Sequence, residues 1–508
     1  MKKETVRLGI LLFSFLFIIA CSSEDDTPET DSGTNGDGTT DPIEIDNPDQ
    51  GIDTFIWSGM NAAYLYKSDI SSLANDRFSD DQELFEYLSK FGSPESLFDA
   101  LTSSQDRFSF IVDDYVALEQ SFSGVSKSNG MSFSLFAVSS SSNNVLGFVR
   151  YVLPSTDAAT KGLERGMFFN SVDGVKMTRS SDFNAMFSPD SYTINLVDFD
   201  GVNVTATGQE VTLTQVEYTE NPIFIAKTLD HNGKKIGYLM YNSFVGDFDE
   251  QLNDAFGKFK TDGIEDLILD LRYNGGGLVR SAIDLASMIT GQFNGEIFLK
   301  EIWNDELQAQ FSSGPDGEEA LINRFRNKIY TDAPINSLNL PRLFVLTTSR
   351  TASASELIIN GLDPYIDVIQ IGGTTTGKFQ ASVTLYDGEG FSRDNASPDH
   401  TYAIQPLVFK SANRDNVSDY VDGLTPEVSV QEDLQNLGTL GKPTETFLKA
   451  ALDYIDGQTT ATASSKSSSA DVDLINWEST ALLPNYQKMY IDNIKVPLLK
   501  RTLEEAKK

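Results

Sequence analysis

The sequence predicts an α/β protein with three parts: a helical N-terminal segment, a β-rich middle domain and a core with a largely parallel sheet. Helical periodicity runs through residues 52–118, short strand-like runs fill 119–218, and strands alternate with helices over 219–455. Alternation of strand and helix is typical of a parallel sheet that is covered by helices. The 508 residues leave room for about three domains.

The segment 52–118 places apolar side chains at helical spacing, as in Leu84, Phe85 and Leu88. Ser93 is a good N-cap, and Pro94 follows it at the first helical position, where proline is tolerated best. We therefore expect a small N-terminal helical domain over 52–118 that carries no chemistry of its own.

The core, 219–455, contains the clearest alternation of apolar strands and amphipathic helices. We predict strands at 235–241, 266–271, 343–347 and 368–371, and helices at 247–260, 278–289 and 354–362. In the middle domain, turn residues separate predicted strands at 132–138, 147–153 and 209–216.

The glycine-containing stretch 162–174 resembles a motif of PDZ domains, so that 119–218 is similar to a PDZ-like domain. Gly130, Met131, Ser132 and Phe133 stand where such a domain keeps its carboxylate-binding loop. The resemblance implies that backbone N–H groups of this loop hold a peptide C-terminus while the peptide adds a strand to the sheet. A β-domain with a purely structural role is the alternative.

The first 21 residues have the layout of a secretory signal peptide, with Lys2, Lys3 and Arg7 before an apolar run. The run ends at Cys21 in a sequence that resembles the lipobox of bacterial lipoproteins, which implies acylation of this cysteine. An ordinary signal sequence or a short membrane anchor is the alternative. Cys21 is the only cysteine, so no intrachain disulfide can form.

Residues 22–51 are rich in acidic and small polar side chains and predict a disordered acidic linker. This acidic run resembles the surface-export signal of lipoproteins in the Bacteroidetes. We expect a protein that is lipid-anchored to the outer membrane, on its periplasmic side or at the cell surface. Residues 456–508 comprise a second low-complexity linker and a C-terminal extension whose role the pattern does not indicate.

The net charge of −35 argues against nucleic-acid binding, because a phosphate backbone would be repelled. His231 and His400 are the only histidines in the sequence. A Ser-His-Asp triad or a histidine-rich metal site is therefore not expected, and we predict neither a metal nor an organic cofactor.

Three features of the core carry candidate chemistry. Ser353 and Ser355 follow a strand and open a helix, where free N–H groups and the helix dipole suit an activated serine or an oxyanion. The glycine triplet 275–277 also lies between a strand and a helix and lets the backbone approach a ligand. Lys378 lies on a later glycine-flanked segment, and a buried lysine can act as a base.

These motifs together resemble the C-terminal processing peptidases, which are exported serine peptidases with a Ser/Lys dyad. The resemblance rests on the order of five segments: 236–238, 270–277, 351–356, 375–378 and 422–427. It implies a protease core with a ClpP/crotonase-like fold, protein or peptide substrates, and cleavage through an acyl-enzyme. The oligomeric state is not indicated.

The resemblance also implies roles for individual residues. Ser353 is the expected nucleophile, in preference to Ser349 or Ser355, and Lys378 is the expected base. The backbone N–H groups of Ala354 and of Gly276 or Gly277 would hold the oxyanion. The family's usual glutamine falls on Ser382 here, but Gln380 shares the strand face of Lys378 and is the candidate third member.

Two alternatives remain on sequence grounds. A surface-anchored peptide-binding protein could keep the protease fold without catalysis. In that case Ser353→Ala would leave the biological effect of the protein intact. An esterase or amidase would act on small activated substrates but not on unstructured proteins.

Overall fold

The structure is a computed structural model that describes residues 48–458 and 472–494. The predicted signal peptide with Cys21, most of the predicted linker 22–51 and the low-complexity stretch 459–469 lie outside the described residues. The predicted domain boundaries at 118 and 218 fall inside the described part of the chain.

The helices of the described residues are α1 (Pro48–Ala63), α2 (Asp81–Leu88), α3 (Pro94–Ala100), α4 (Tyr115–Phe122), α5 (Asp157–Thr160), α6 (Phe183–Phe187), α7 (Asp249–Asp262), α8 (Val279–Ile289), α9 (Asp305–Ser313), α10 (Ala354–Leu362) and α11 (Thr446–Ile455). Within the described ranges, none of them is both long and apolar enough to span a lipid bilayer.

The strands are β1 (Phe110–Val112), β2 (Val125–Ser128), β3 (Met131–Ala137), β4 (Val145–Val152), β5 (Phe168–Val172), β6 (Val175–Lys176), β7 (Ser191–Phe199), β8 (Val204–Thr214), β9 (Val216–Thr219), β10 (Ile223–His231), β11 (Lys234–Tyr241), β12 (Asp266–Asp270), β13 (Gly277–Leu278), β14 (Ile297–Trp303), β15 (Ile322–Arg324), β16 (Arg342–Thr347), β17 (Asp367–Gly372), β18 (Gln380–Val383), β19 (Leu385–Tyr386), β20 (Ala403–Gln405), β21 (Leu407–Ala412), β22 (Val428–Ser429), β23 (Asp473–Glu478) and β24 (Met489–Ile491).

The core sheet has the order β10-β11-β12-β16-β17-β22, and every pair from β11 to β22 is parallel. Strand β12 is buried along its whole length, as expected for a strand that is covered on both faces. The predicted α/β fold with a largely parallel sheet is confirmed. The predicted helix 354–362 coincides with α10, and α7 ends at Gly263 with a positive φ of 71°.

A second sheet has the order β13-β24-β18-β21-β14-β15. It contains two of the predicted site residues, Gly277 in β13 and Gln380 in β18. Strand β24 comes from the C-terminal extension and lies parallel to both β13 and β18. The extension that the sequence left without a role therefore enters the core of the molecule.

The β-rich region contributes a third sheet in the order β23-β3-β4-β5-β7-β8, with β6 paired to β5. Its edge strand β23 also comes from the C-terminal extension and runs antiparallel to β3. The short helix α6 packs Phe183 and Phe187 into the same apolar cluster as β3.

The N-terminal helical segment is confirmed by α1, α2 and α3. Ser93 caps α3 by accepting a hydrogen bond from the Ser96 N–H, and Pro94 occupies the first helical position, as predicted. Large apolar side chains of α1, including Phe55, Ile56 and Met60, are fully buried in the cluster that also contains the core helices α8 and α10. The segment therefore packs on the core.

Candidate active site

Ser353 occupies the sharp turn between β16 and α10. Its backbone has a φ of 68° and a ψ of −118°, a conformation that is strained for a residue with a side chain. The side chain is completely buried, and its Oγ has no hydrogen-bond partner among the described residues. The turn thus presents an unpaired hydroxyl at the N-terminus of a helix.

The buried carboxylate of Glu356 joins this turn to the segment that carries Lys378. Its Oε2 accepts hydrogen bonds from the backbone N–H groups of Ser353 (2.7 Å) and Lys378 (2.9 Å). Its Oε1 accepts from the Gly377 N–H (2.7 Å) and the Thr375 hydroxyl (2.6 Å). Burial raises the pKa of Glu356, although these donors oppose the rise.

Lys378 is fully buried, and few polar groups lie near its side-chain nitrogen. The Nζ donates to the Gln487 carbonyl at 3.0 Å and lies 5.0 Å from the centre of the Phe108 ring. Burial lowers the pKa of Lys378 well below its usual value, and the nearby Lys488 ammonium lowers it further. This environment favours the neutral amine, which is the form that can accept a proton.

Gln380 lies at the start of β18, two residues after Lys378. Its Nε2 donates to the Tyr66 hydroxyl at 2.8 Å, whereas its Oε1 is buried without a partner among the described residues. Ser382, where the family's glutamine was expected, donates its hydroxyl to the Met489 carbonyl at 3.0 Å.

The N-terminal segment, which was expected to carry no chemistry of its own, contacts the residues of this site. Tyr66 holds Gln380, Phe108 covers Lys378, and Arg107 donates to the Gly377 carbonyl at 3.1 Å. These contacts join residues hundreds of positions apart, which is why local sequence patterns gave no sign of them.

The two glycines that were predicted as oxyanion donors have different surroundings. The Gly276 N–H donates to the Asn274 side chain at 2.8 Å, and the Gly276 carbonyl accepts from the Phe244 N–H. The Gly276 carbonyl and the Leu278 N–H both bond to the backbone of Phe244. Successive backbone groups of a strand alternate between its two sides, so the Gly277 N–H faces β24 instead. Of the two glycines, Gly277 is therefore the one whose amide points away from the loop.

Gly276 lies where the glycine loop approaches the Ser353 turn. A Cβ placed on this glycine would lie 2.5 Å from the Ser353 Cβ and 3.0 Å from the Ala354 nitrogen. Ala354 opens α10, so its N–H belongs to the free helix N-terminus. The glycine loop and the Ser353 turn are thus in direct contact, and glycine at 276 is what permits it.

The loop Gly130–Phe133 precedes and opens strand β3. The N–H groups of Gly130 and Met131 bond to side chains of their own segment, Ser128 and Asn129. The Phe133 N–H instead donates to the hydroxyl of Ser479 at 3.0 Å, and the Ser132 hydroxyl accepts from Arg150. Part of the predicted peptide-binding loop thus contacts the C-terminal extension.

No grouping of three or more histidine, cysteine or acidic side chains suited to a metal ion occurs in the parts of the chain that the structure describes. Glu356, Asn274, Gln487 and Lys488 are site residues that the sequence reasoning did not single out. Glu356 and Asn274 belong to motifs that were recognised, whereas nothing in the sequence marked Gln487 or Lys488.

Comparison with family models places two known domains on this chain. Residues 235–397 match the model described as Peptidase family S41, and residues 51–110 match the Peptidase S41 N-terminal domain. The first match contains Ser353, Lys378 and the glycine loop, and the second contains Tyr66 and Phe108.

Curated relatives show the same similarity. The carboxyl-terminal-processing protease of Synechocystis sp. is 24% identical over 251 residues, which cover 49% of this chain and 50% of that protein. Carboxyl-terminal-processing peptidase 3, chloroplastic, of Arabidopsis thaliana is 28% identical over 207 residues, 39% of this chain and 35% of that protein. The chain spans about half the length, or less, of these curated relatives.

Among solved structures, one of a Bacteroides fragilis protein assigned to the S41 proteases has a TM-score of 0.62 and 25% sequence identity. The match covers 80% of this chain and 97% of that chain. The similarity therefore extends beyond the peptidase domain to most of the described architecture.

Proposed function

Because this chain belongs to the C-terminal processing peptidase family, we propose that it is a serine-type endopeptidase acting through a Ser353/Lys378 dyad. One observation carries the proposal: a single oxygen of Glu356 binds the backbones of Ser353 and Lys378. The proposal is further supported by the burial of the unpaired Ser353 hydroxyl and by the depressed pKa of the buried Lys378 amine.

In the first step, the neutral amine of Lys378 takes the proton of the Ser353 hydroxyl, and Oγ attacks the carbonyl carbon of a peptide bond. The tetrahedral oxyanion accepts hydrogen bonds from the N–H groups of Ala354 and Gly277. The helix N-terminus adds favourable electrostatics at the point where negative charge develops.

In the second step, the ammonium of Lys378 gives its proton to the departing amine, which leaves an acyl ester on Ser353. Water, activated by the same amine, then hydrolyses the ester. The unpaired Oε1 of Gln380 is the acceptor that we assign to the transient ammonium, supported by its burial without a partner among the described residues. Lys378 precedes β18, so the shared strand face expected from the sequence is not formed.

The proposed substrates are exported proteins or peptides. The signal-like N-terminus supports an extracytoplasmic setting, and the names of the curated relatives support action near protein C-termini. The β-rich region would dock the peptide along β3, next to the loop Gly130–Phe133.

The test is cleavage of an unstructured protein by the purified wild type and by Ser353→Ala and Lys378→Ala. Ser349→Ala is the matched control, since Ser349 is an exposed serine of the same turn. We expect fragments from the wild type and the control and none from the two site variants. Cleavage that persists in either site variant would refute the dyad, and activity on activated esters alone would favour the esterase alternative.

The proposed location depends on Cys21, which would carry the lipid that anchors the protein to the outer membrane. The support is the signal-like sequence that precedes this cysteine. Growth with a labelled fatty acid should label the wild type but not Cys21→Ser. Equal labelling of both proteins would contradict the assignment.

A further inference from the structure

The segment Asp473–Ile491, which we call the tail, lies along both the peptide-docking strand and the reactive residues. Its first part forms β23, which adds to the edge of β3 in antiparallel fashion. Its last part forms β24, which lies between β13 and β18. Addition of an extended segment to a sheet edge is the way in which many domains bind peptide ligands.

An aromatic side chain of the tail fills the apolar groove beside β3. The Trp477 ring stacks on Phe187 of α6 at 5.3 Å between centroids and lies 5.9 Å from Phe133. Its indole N–H donates to the Asn184 side chain at 2.9 Å. The Trp477 side chain is half-buried there, with its ring against the aromatic cluster and its polar atom paired, a combination that suits an aromatic residue at a binding site.

The next residue, Glu478, places its carboxylate in a buried basic site. Only 3% of this side chain is exposed, and it forms ion pairs with Arg150 and with Arg350, the latter at 3.2 Å. Arg150 also donates to the Ser132 hydroxyl. The two guanidinium groups hold the pKa of Glu478 below its usual value, so the acid is bound as a carboxylate.

Further along, the tail uses the candidate catalytic groups themselves as hydrogen-bond partners. The Gln487 carbonyl accepts from the Lys378 amine at 3.0 Å. The register of β13 against β24 directs the Gly277 N–H to the Lys488 carbonyl, which lies 3.0 Å from where a Cβ on Gly276 would sit.

The Lys488 side chain is also accommodated in a pocket of the site. Its Nζ donates to the Phe108 carbonyl at 2.8 Å and lies 4.2 Å from the centre of the Phe110 ring. The tail thus fills the groove, the basic site and the space around the two reactive residues in one continuous path.

We propose that the tail is an intramolecular ligand that occupies the peptide-binding channel and competes with substrate. The inference rests on the proposed function for the identity of the channel. A substrate binds only when the tail has left, so the apparent affinity is the intrinsic affinity multiplied by the fraction of molecules whose channel is open. The occupant also indicates the class of peptide that fits: an aromatic residue followed by an acidic one, the latter for Arg150 and Arg350.

The first test compares the full chain with Glu478→Gln, which removes the charge that the basic site holds. Asp473→Asn is the matched control, because Asp473 loses the same charge from the same tail but pairs with Arg179 at the surface. We expect Glu478→Gln to lower the KM for an unstructured protein substrate about tenfold with kcat unchanged, since loss of a buried partner weakens docking. Equal KM values for wild type, Glu478→Gln and the control would overturn the proposal.

A second measurement does not depend on catalysis. Hydrogen exchange is recorded on the full-length Ser353→Ala variant with and without a peptide that carries the tail sequence 472–494. We expect the amides of β23 and β24 in the protein to lose protection when the peptide is added, because peptide and tail share one site. Unchanged protection at a peptide concentration that binds would refute competition.

The two proposals fail in different ways. A protein that exchanges its tail for the peptide but cleaves nothing would refute the proposed peptidase activity and leave the tail as a ligand. A protein that cleaves substrate with the same KM in all variants and a fully protected tail would refute the tail and keep the peptidase. Trp477→Ala serves as a second variant if Glu478→Gln is poorly folded, and the same fall in KM is expected.

Discussion

Glu356 determines how the two proposed reactive residues are placed relative to each other. Its carboxylate accepts three backbone N–H groups and one hydroxyl, and those donors come from both the Ser353 turn and the segment 375–378. A carboxylate has two oxygens that only accept, so it matches this set of donors fully. We therefore regard Glu356 as a positioning residue.

Replacing this carboxylate by an amide tests that role. In Glu356→Gln the side-chain NH₂ would face backbone N–H groups, so at least one pair of donors would be left opposed. We expect kcat to fall about 100-fold with little change in KM, since small displacements of reacting groups cost about that much. Glu318→Gln, an exposed acid, is the control and should leave both constants unchanged; a normal kcat in Glu356→Gln would contradict the role.

The depressed pKa of Lys378 predicts how activity depends on pH. Below that pKa the amine is protonated and cannot take the serine proton, so kcat/KM should rise with pH and then level off. Lys488 contributes to the depression through its charge, and burial lowers its own pKa to about 8. The pH at which kcat/KM rises is therefore lowered by two causes, the burial of Lys378 and the charge of Lys488.

Removing the Lys488 charge should allow Lys378 to hold its proton to a higher pH. In Lys488→Gln we expect the rising part of the kcat/KM profile to move to higher pH, as measured over a series of buffers at constant ionic strength. Lys90→Gln, at an exposed lysine, should leave the profile in place. A shift to lower pH would show that this electrostatic account is wrong.

At the scale of elements, the contact between the glycine loop and the start of α10 sets the shape of the site. Gly276 has a φ of 109°, and its missing side chain leaves room for the Ser353 Cβ. A larger residue there would have to displace either the loop or the serine turn, because a Cβ at this position would lie 2.5 Å from the Ser353 Cβ.

Gly276→Ala should accordingly reduce activity more than it reduces stability. The added methyl group would lie 2.5 Å from the Ser353 Cβ, and we expect a loss of about 100-fold in kcat with a cost of about 1–3 kcal/mol in unfolding free energy. Gly174→Ala is the matched control, since Gly174 also has a positive φ, 76°, but has open space around it. Similar kcat losses in both variants would contradict the steric explanation.

For the whole molecule, a buried ionic cluster connects the core sheet to the elements around it. Arg272, from the motif before the glycine loop, is fully buried and donates to Asp270 and Glu445. Arg165 of the β-rich region reaches Glu432 near the same point, at 2.9 Å. These charges are stable in the interior because each has an opposite partner.

Removing one member of the cluster should destabilise the protein strongly. Arg272→Ala leaves Asp270 and Glu445 buried without their partner, and we expect a loss of about 3–5 kcal/mol in unfolding free energy by chemical denaturation. Arg77→Ala breaks an exposed pair with Glu83 and should cost less than about 1 kcal/mol. A loss of similar size in both variants would show that burial of the cluster contributes nothing.

The sequence predicted the core elements well because their signals are local. Apolar runs and helical spacing mark β11, β12, β16, α8 and α10 to within a few residues of their observed bounds. Strand β24 was missed because it has three residues and pairs with β13 and β18, which are remote in the chain. Its position depends on partners that no local pattern describes.

The sequence by itself determined which residue types are available for chemistry: a serine at a strand-to-helix turn, a lysine near glycines, and almost no histidine. The tertiary structure decided what those residues can do. Burial depresses the pKa of Lys378, and pairing with Phe244 directs the Gly277 amide, not that of Gly276, toward β24. The tertiary structure also placed β23 beside β3 and the Gln487 carbonyl against the Lys378 amine. Desolvation and strand pairing arise between groups that are distant in the chain, so only the folded molecule fixes them.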